Sequence, residues 1–169
     1  MLTDCGKVAG GEAGKEAVTV EKRKEIIRIV VMLAFLAYLL LLAYLLFFSS
    51  TYGRTMELGY RYNLTPFLEI KRGIEHVDTV GYRYVLVNIV GNIVAFMPFG
   101  FLLPFVSEQK MHTIKVLFYS FLLTLCAESL QLLSRTGAFD VDDLILNTAG
   151  GVLGYWCFVL LLGRRRKRK

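Results

Sequence analysis

The residues most often used for chemistry are scarce here. There are 3 cysteines and 2 histidines in 169 residues. Cys126 and Cys157 fall inside apolar blocks and Cys5 stands alone in a polar segment, so no disulfide framework is expected. In an apolar block a cysteine reads as small filler. His76 and His112 stand apart from the acidic residues, no serine or cysteine has a base beside it in sequence, and no metal-binding string is complete. Neither a metal nor a cofactor is therefore expected. Residues 1–25 lack an apolar run, so Cys5 has nothing before it that would make a lipoprotein cleavage site. The first apolar run is also longer than the roughly 7–15 residues of a secretory signal core.

Apolar residues, by contrast, make up 55% of the chain, with a mean hydropathy of +0.51. They come in blocks, from Ile26 to Phe48, Tyr84 to Val106, Thr113 to Leu133 and Leu144 to Leu162. About 20 apolar residues as helix cross a hydrocarbon core of roughly 30 Å. Backbone groups in lipid must be paired internally, and strands of a barrel would alternate where these blocks do not. The expected fold is all-α, an integral membrane four-helix bundle in one domain over 26–163, with helices at about 26–48, 84–106, 113–133 and 144–162. A mobile polar tail, 1–25, and a basic tail, 164–169, flank it.

Four spans place both termini on one side. With that side cytoplasmic, it carries Lys7, Lys15, Lys22, Arg23, Lys24, Arg28, Lys110, Lys115 and the terminal RRRKRK, which is 14 of the 20 Lys and Arg. Arg54, Arg61, Lys71, Arg72, Arg83 and Arg135 fall on the other side. The bias follows the positive-inside rule and predicts a plasma-membrane protein with cytoplasmic N- and C-termini. A net charge of +6 concentrated at membrane ends argues against nucleic acid as a partner. Residues 49–83 would then face outward, and Tyr52, Tyr60, Tyr62 and Tyr82 suit a loop at headgroup depth.

The polar residues within the blocks converge. Asn88 and Asn92 lie one turn apart, roughly 6 and 12 Å below the outer surface at 1.5 Å per residue. Thr124, Glu128, Gln131 and Arg135 share a stripe on the third helix, with Glu128 about 8 Å deep. Asp140, Asp142 and Asp143 precede the fourth helix, where Asp142 or Asp143 suits its N-cap, and Asn147 follows one turn on. Three helices of alternating direction bring these residues to the same outer third. The expectation is an outward-open polar pocket of Asn88, Asn92, Glu128, Gln131, Arg135, Asp140, Asp142, Asp143 and Asn147, in which the asparagines bond to Glu128, Gln131 or Asn147. Pro98 and Gly100 would loosen the inner half of the second helix, and Pro104 would begin its exit. Gly150, Gly151 and Gly154 make a small-residue contact surface, which suits packing within the bundle or association into a homo-oligomer.

Asn88-Ile-Val-Gly-Asn92-Ile-Val-Ala-Phe96-Met-Pro98-Phe-Gly100-Phe-Leu-Leu-Pro104, Glu128-Ser-Leu-Gln131, and the run from Arg135 through Asp140, Asp143 and Asn147 to Gly154 resemble, in order and spacing, three signatures of the VanZ-like membrane family. Asn63-Leu-Thr-Pro66-Phe67 is similar to a weaker motif that often precedes them. The resemblance covers roughly residues 60–156 and leaves the first helix outside it. It implies a cell-envelope membrane protein; the family's founding member accompanies glycopeptide-resistance genes and raises resistance to teicoplanin, a lipid-tailed glycopeptide.

Three functions fit these residues. A non-catalytic envelope protein would bind a lipid head group or lipoglycopeptide in the pocket. An intramembrane enzyme acting on a lipid-linked substrate would use Glu128 as acid or base, Asp143 as its partner and Arg135 to stabilise an anion; Glu128, Asp142 and Asp143 would alternatively offer oxygen ligands to Mg²⁺ or Ca²⁺. A small transporter would need an oligomer, because the polar residues occupy only the outer third. The first is the preferred reading.

Overall fold

A computed structural model describes residues 5–48, 61–107 and 110–163. The loop residues Tyr52, Arg54 and Tyr60 and the basic tail 164–169 lie outside the described residues. The architecture is an all-α membrane bundle: α1 Cys5–Phe48, α2 Leu68–Glu75, α3 Val77–Val80, α4 Tyr82–Val106, α5 Thr113–Ser134 and α6 Val141–Phe158, which continues as a π turn, Val159–Gly163. Four of these helices carry segments long and apolar enough to cross a membrane: Val18–Phe47, Val85–Val106, Thr113–Ser134 and Val141–Leu162. Two residue pairs, Tyr62↔Phe139 and Asn63↔Asp140, form a short parallel ladder between β1 (Tyr62–Asn63) and β2 (Phe139–Asp140).

The direction of each span follows from what meets what. Phe35 stacks near Phe99, and the Tyr38 hydroxyl donates to the Ala95 carbonyl at 2.8 Å, so α1 runs against α4. Gln131 Nε2 donates to the Leu46 carbonyl at 2.8 Å, which ties the end of α5 to the end of α1. Asn92 meets Asp143 and Phe105 meets Phe158, so α4 and α6 run the same way. Tyr155 Oη donates to the Met111 carbonyl at 2.8 Å, setting α6 antiparallel to α5. One end of the bundle therefore gathers the end of α1, the start of α4, the end of α5 and the start of α6. We call it the site end.

Phe96, buried completely, sits with Leu42, Leu46 and Ala127 in a small apolar core beneath that end. Most other large apolar side chains point outward, Ile114 at 80% exposure and Leu133 at 70% among them. A water-soluble bundle would bury such residues. A bundle in lipid has no reason to.

Two differences from the sequence reading have local causes. Helical backbone begins at Cys5, well before residue 26. Once the apolar block nucleates a helix, each added residue gains a bond, and residues 15–25, rich in Glu and Lys and free of glycine, propagate it well. At 44 residues, α1 is about 66 Å long, roughly twice the hydrocarbon core. Pro104 does not begin an exit: α4 passes through Pro98 and Pro104 to Val106. Each proline forfeits one backbone bond, and Pro98 lies on an exposed face of the helix. The glycine surface agrees with the packing reading and is occupied within the chain. A Cβ on Gly150 would overlap the Ile93 carbonyl, one on Gly154 the Met97 carbonyl, and one on Gly100 the Gly151 carbonyl. The backbones of α4 and α6 touch there, so the glycines serve packing inside the bundle.

Gly73 in α2 is unlike these. The nearest atoms to a Cβ there would be those of the Val85 side chain, from 3.4 Å. Gly73→Ala should stabilise α2 by up to about 1 kcal/mol, from helix propensity alone. Slower amide exchange across Leu68–Glu75 in the variant would register it; faster exchange would mean that the Val85 contact cannot accommodate the methyl.

Candidate functional site

The site end holds a buried polar cluster under a short amphipathic cover. Asn92, Glu128, Gln131, Asp142 and Asn147 are buried, with Glu128, Asp142 and Asn147 each 1% exposed. Asn88, Asp140 and Asp143 are half-buried at its rim. The buried stripe of α5, Val116, Ser120, Thr124, Ala127, Glu128 and Gln131, explains the arrangement: steps of three and four keep one face toward the neighbouring helices.

Asp142 has the most specific role. Its carboxylate accepts backbone N–H bonds from Phe67, from Glu69 at 2.9 Å and from Ile70 at 3.1 Å. It thus caps α2 from another helix, with its charge at the positive end of that helix's dipole. The position suits what precedes α2. Phe67 has φ 64°, a left-handed conformation that a phenylalanine adopts only when its surroundings hold it. Asn63 fixes the approach: its Oδ1 accepts from Thr65 N at 3.0 Å, and its Nδ2 donates to Asp140 at 3.1 Å.

Asp140, not Asp142 or Asp143, is the N-cap of α6, and accepts from Asp142 N at 2.8 Å. Its extended backbone lets the side chain fold back onto the helix start, as a cap requires, while Asp142 is turned toward α2. Burial pushes the Asp140 carboxyl above its ordinary pKa; the bond from Asp142 N–H pulls it back, the Asp142 charge raises it again, and the Asn63 bond lowers it.

Glu128 reaches the same turn, its Oε2 accepting from Asp140 N at 3.1 Å. Asn92 donates to Asp143, and Asn147 Nδ2 donates to Thr124 Oγ1 at 2.8 Å. Asn92 therefore finds Asp143, not a partner among Glu128, Gln131 and Asn147, and Asn147 itself turns to Thr124. Gln131 is drawn instead to the exposed-carbonyl end of α1, where Leu46 needs a donor. Arg135 leaves the stripe. It is the left-handed C-cap of α5, at φ 57°, so helical spacing no longer governs it and it is exposed. Among the described residues, no three His, Cys, Asp or Glu gather as a group that could hold a metal ion.

Asn63 and the α2 N-terminus join the cluster without being among the predicted site residues. Both belong to the Asn63–Phe67 motif and its continuation, which dock on the bundle through the ladder to β2 and the Asp142 carboxylate. Among the described residues, the exposed Tyr62, Leu64, Phe67 and Ile74 flank Lys71 and Arg72 on the cover, and Lys71–Glu75 and Arg72–Glu69 pair along it. This is the mixed apolar and basic composition of a segment at a membrane interface.

Comparison with known proteins fits this arrangement. The VanZ/LLP1 family model matches residues 35–162. It starts inside α1, at the half that supplies Phe35, Tyr38, Leu42 and Leu46 to the bundle, and so extends the resemblance beyond residues 60–156. The chain is 31% identical to Protein VanZ of Enterococcus faecium over 120 residues, covering 69% of this chain and 66% of that protein, just under two thirds of its length. No solved structure matches. With four membrane-crossing helices and a match over most of its length, this multi-pass membrane protein belongs to the VanZ/LLP1 family.

Proposed function

We propose that this chain is a non-catalytic protein of the plasma membrane that receives the polar head of a lipid or lipid-tailed glycopeptide at its site end. That end would face outward, with both termini cytoplasmic, as the distribution of Lys and Arg favours. One observation carries the reading. Five polar side chains are buried at one end of an otherwise lipid-facing bundle, beneath an amphipathic cover pinned there by Asp142. Half-buried Asn88, Asp140 and Asp143 form its rim, where a head group would first meet protein. Glu128 fits this role better than acid–base chemistry, because its carboxylate is 1% exposed and holds the Asp140 turn. Family membership supports a part in tolerance of teicoplanin.

The test is susceptibility of a sensitive Gram-positive host producing the chain at verified membrane levels. Teicoplanin tolerance should rise about tenfold, equivalent to about 1.4 kcal/mol of differential binding, with vancomycin tolerance unchanged. Glu128→Gln and Asp143→Asn should each lose the rise. Asp143→Asn keeps an oxygen for Asn92 and removes only the charge. Equal susceptibility with and without the chain would remove the antibiotic reading.

A further inference from the structure

We propose that the seam between α5 and α6 binds ordered water deep in the membrane, held by Ser120, Asn147 and Thr148 alongside Gly151. This goes beyond the head-group reading and does not depend on it.

Among the described residues, the buried side-chain polar atoms without a hydrogen-bond partner are Ser120 Oγ, Asn147 Oδ1 and Thr148 Oγ1. They are not scattered. Asn147 reaches Thr124 of α5, and one turn further along both helices Ser120 lies so close to Gly151 that a Cβ on the glycine would overlap its hydroxyl. Thr148 stands three residues before Gly151 and seven before Tyr155, which bonds the Met111 carbonyl just ahead of α5. The helical repeat therefore puts Thr148 on the same flank. All three orphans fall within about one turn of a single seam, roughly 6 Å of helix.

Their chemistry fits water. Ser120 is 0% and Asn147 1% exposed, so neither is solvated from outside. A serine or threonine in a helix ordinarily turns its hydroxyl back to a carbonyl one turn earlier, and neither Ser120 nor Thr148 does. Flipping the Asn147 amide offers no escape, since one of its two polar atoms is orphaned either way. A water needs two to four polar partners, donates to an amide oxygen, and accepts from or donates to hydroxyls. The three side chains supply that set. Thr124 and then Glu128 continue the polar face of α5 toward the site end, so the seam carries polar groups well below the outer third.

The experiment is water-edited solid-state NMR on the full isotope-labelled chain in lipid bilayers. Magnetisation from water should reach the Asn147 amide, Ser120 and Thr148 several-fold faster than it reaches Phe96 and Val116, both 0% exposed. The double variant Ser120→Ala, Thr148→Val leaves a water only one protein side chain. It should drop Asn147 to the Phe96 rate and lower the thermal midpoint, with Phe96 shifts unchanged. A dry seam gives the opposite: Asn147 and Thr148 as slow as Phe96 in the unaltered chain, and a midpoint that rises once two orphaned hydroxyls are gone. Either of those results overturns the proposal.

Discussion

Asp142→Ala should free the amphipathic cover while leaving the spans assembled. The carboxylate accepts N–H bonds from Phe67, Glu69 and Ile70, and no second acceptor among the described residues is bonded to those three groups. Hydrogen bonds to a charged acceptor contribute about 1.5–3 kcal/mol each, and these three share one carboxylate, so their loss will not be additive. About 3 kcal/mol is a fair sum for the segment, or about a hundredfold faster amide exchange over Leu68–Glu75. Asp142→Asn should fall between, since the amide retains one acceptor oxygen and puts an N–H₂ donor against the N–H groups in place of the other. Exchange in α4 and α5 should barely change. Unchanged protection at Glu69 and Ile70 in Asp142→Ala would show that something else holds α2. A collapse of the entire bundle would show that the cover is part of its core.

Gly154→Val should be among the most damaging single changes in the spans. A Cβ on Gly154 overlaps the Met97 carbonyl, and backbone cannot step aside as a side chain can. Overpacking that side chains relieve costs about 1–3 kcal/mol. Here relief requires α4 and α6 to separate, which also loosens the Asn92–Asp143 bond and the Phe105–Phe158 contact, so the loss should exceed about 3 kcal/mol. Gly150→Val meets the Ile93 carbonyl in the same way. Reversible unfolding in detergent, read against Gly73→Ala, measures it: the α4–α6 variants should lose most of the folded population under conditions in which Gly73→Ala keeps it. Equal stability of all three would mean that the two helices do not meet on these glycines.

Much of this was legible in sequence because lipid imposes a simple code. An apolar block of about 20 residues has few alternatives to a helix, and the four blocks became spans whose ends shifted by only a few residues, except at the N-terminus of α1. The convergence of Asn92, Glu128, Gln131, Asp142 and Asn147 was legible too, because helical spacing fixes faces and alternating direction fixes depth. Their partners were not. Asp142 reads as one of three acidic residues at a helix start, and only the pairing of Asn63 with Asp140, 77 positions apart, brings α2 within its reach. Arg135 shows the converse limit: its spacing from Gln131 is helical, but the chain turns left-handed at that residue. The glycines announce a close approach but not its partner, and here the partner is α4.

Entry of a head group at the site end is tested most directly by one binding measurement. Fluorescent teicoplanin would be titrated onto nanodiscs holding the full chain, onto empty nanodiscs, and onto the rim variants Asn88→Leu and Asp143→Asn. Saturable binding above empty nanodiscs, weakened about tenfold or more by either rim change, is the predicted result; that factor is about 1.4 kcal/mol. Binding equal to empty nanodiscs, or saturable binding indifferent to both rim residues, would contradict it.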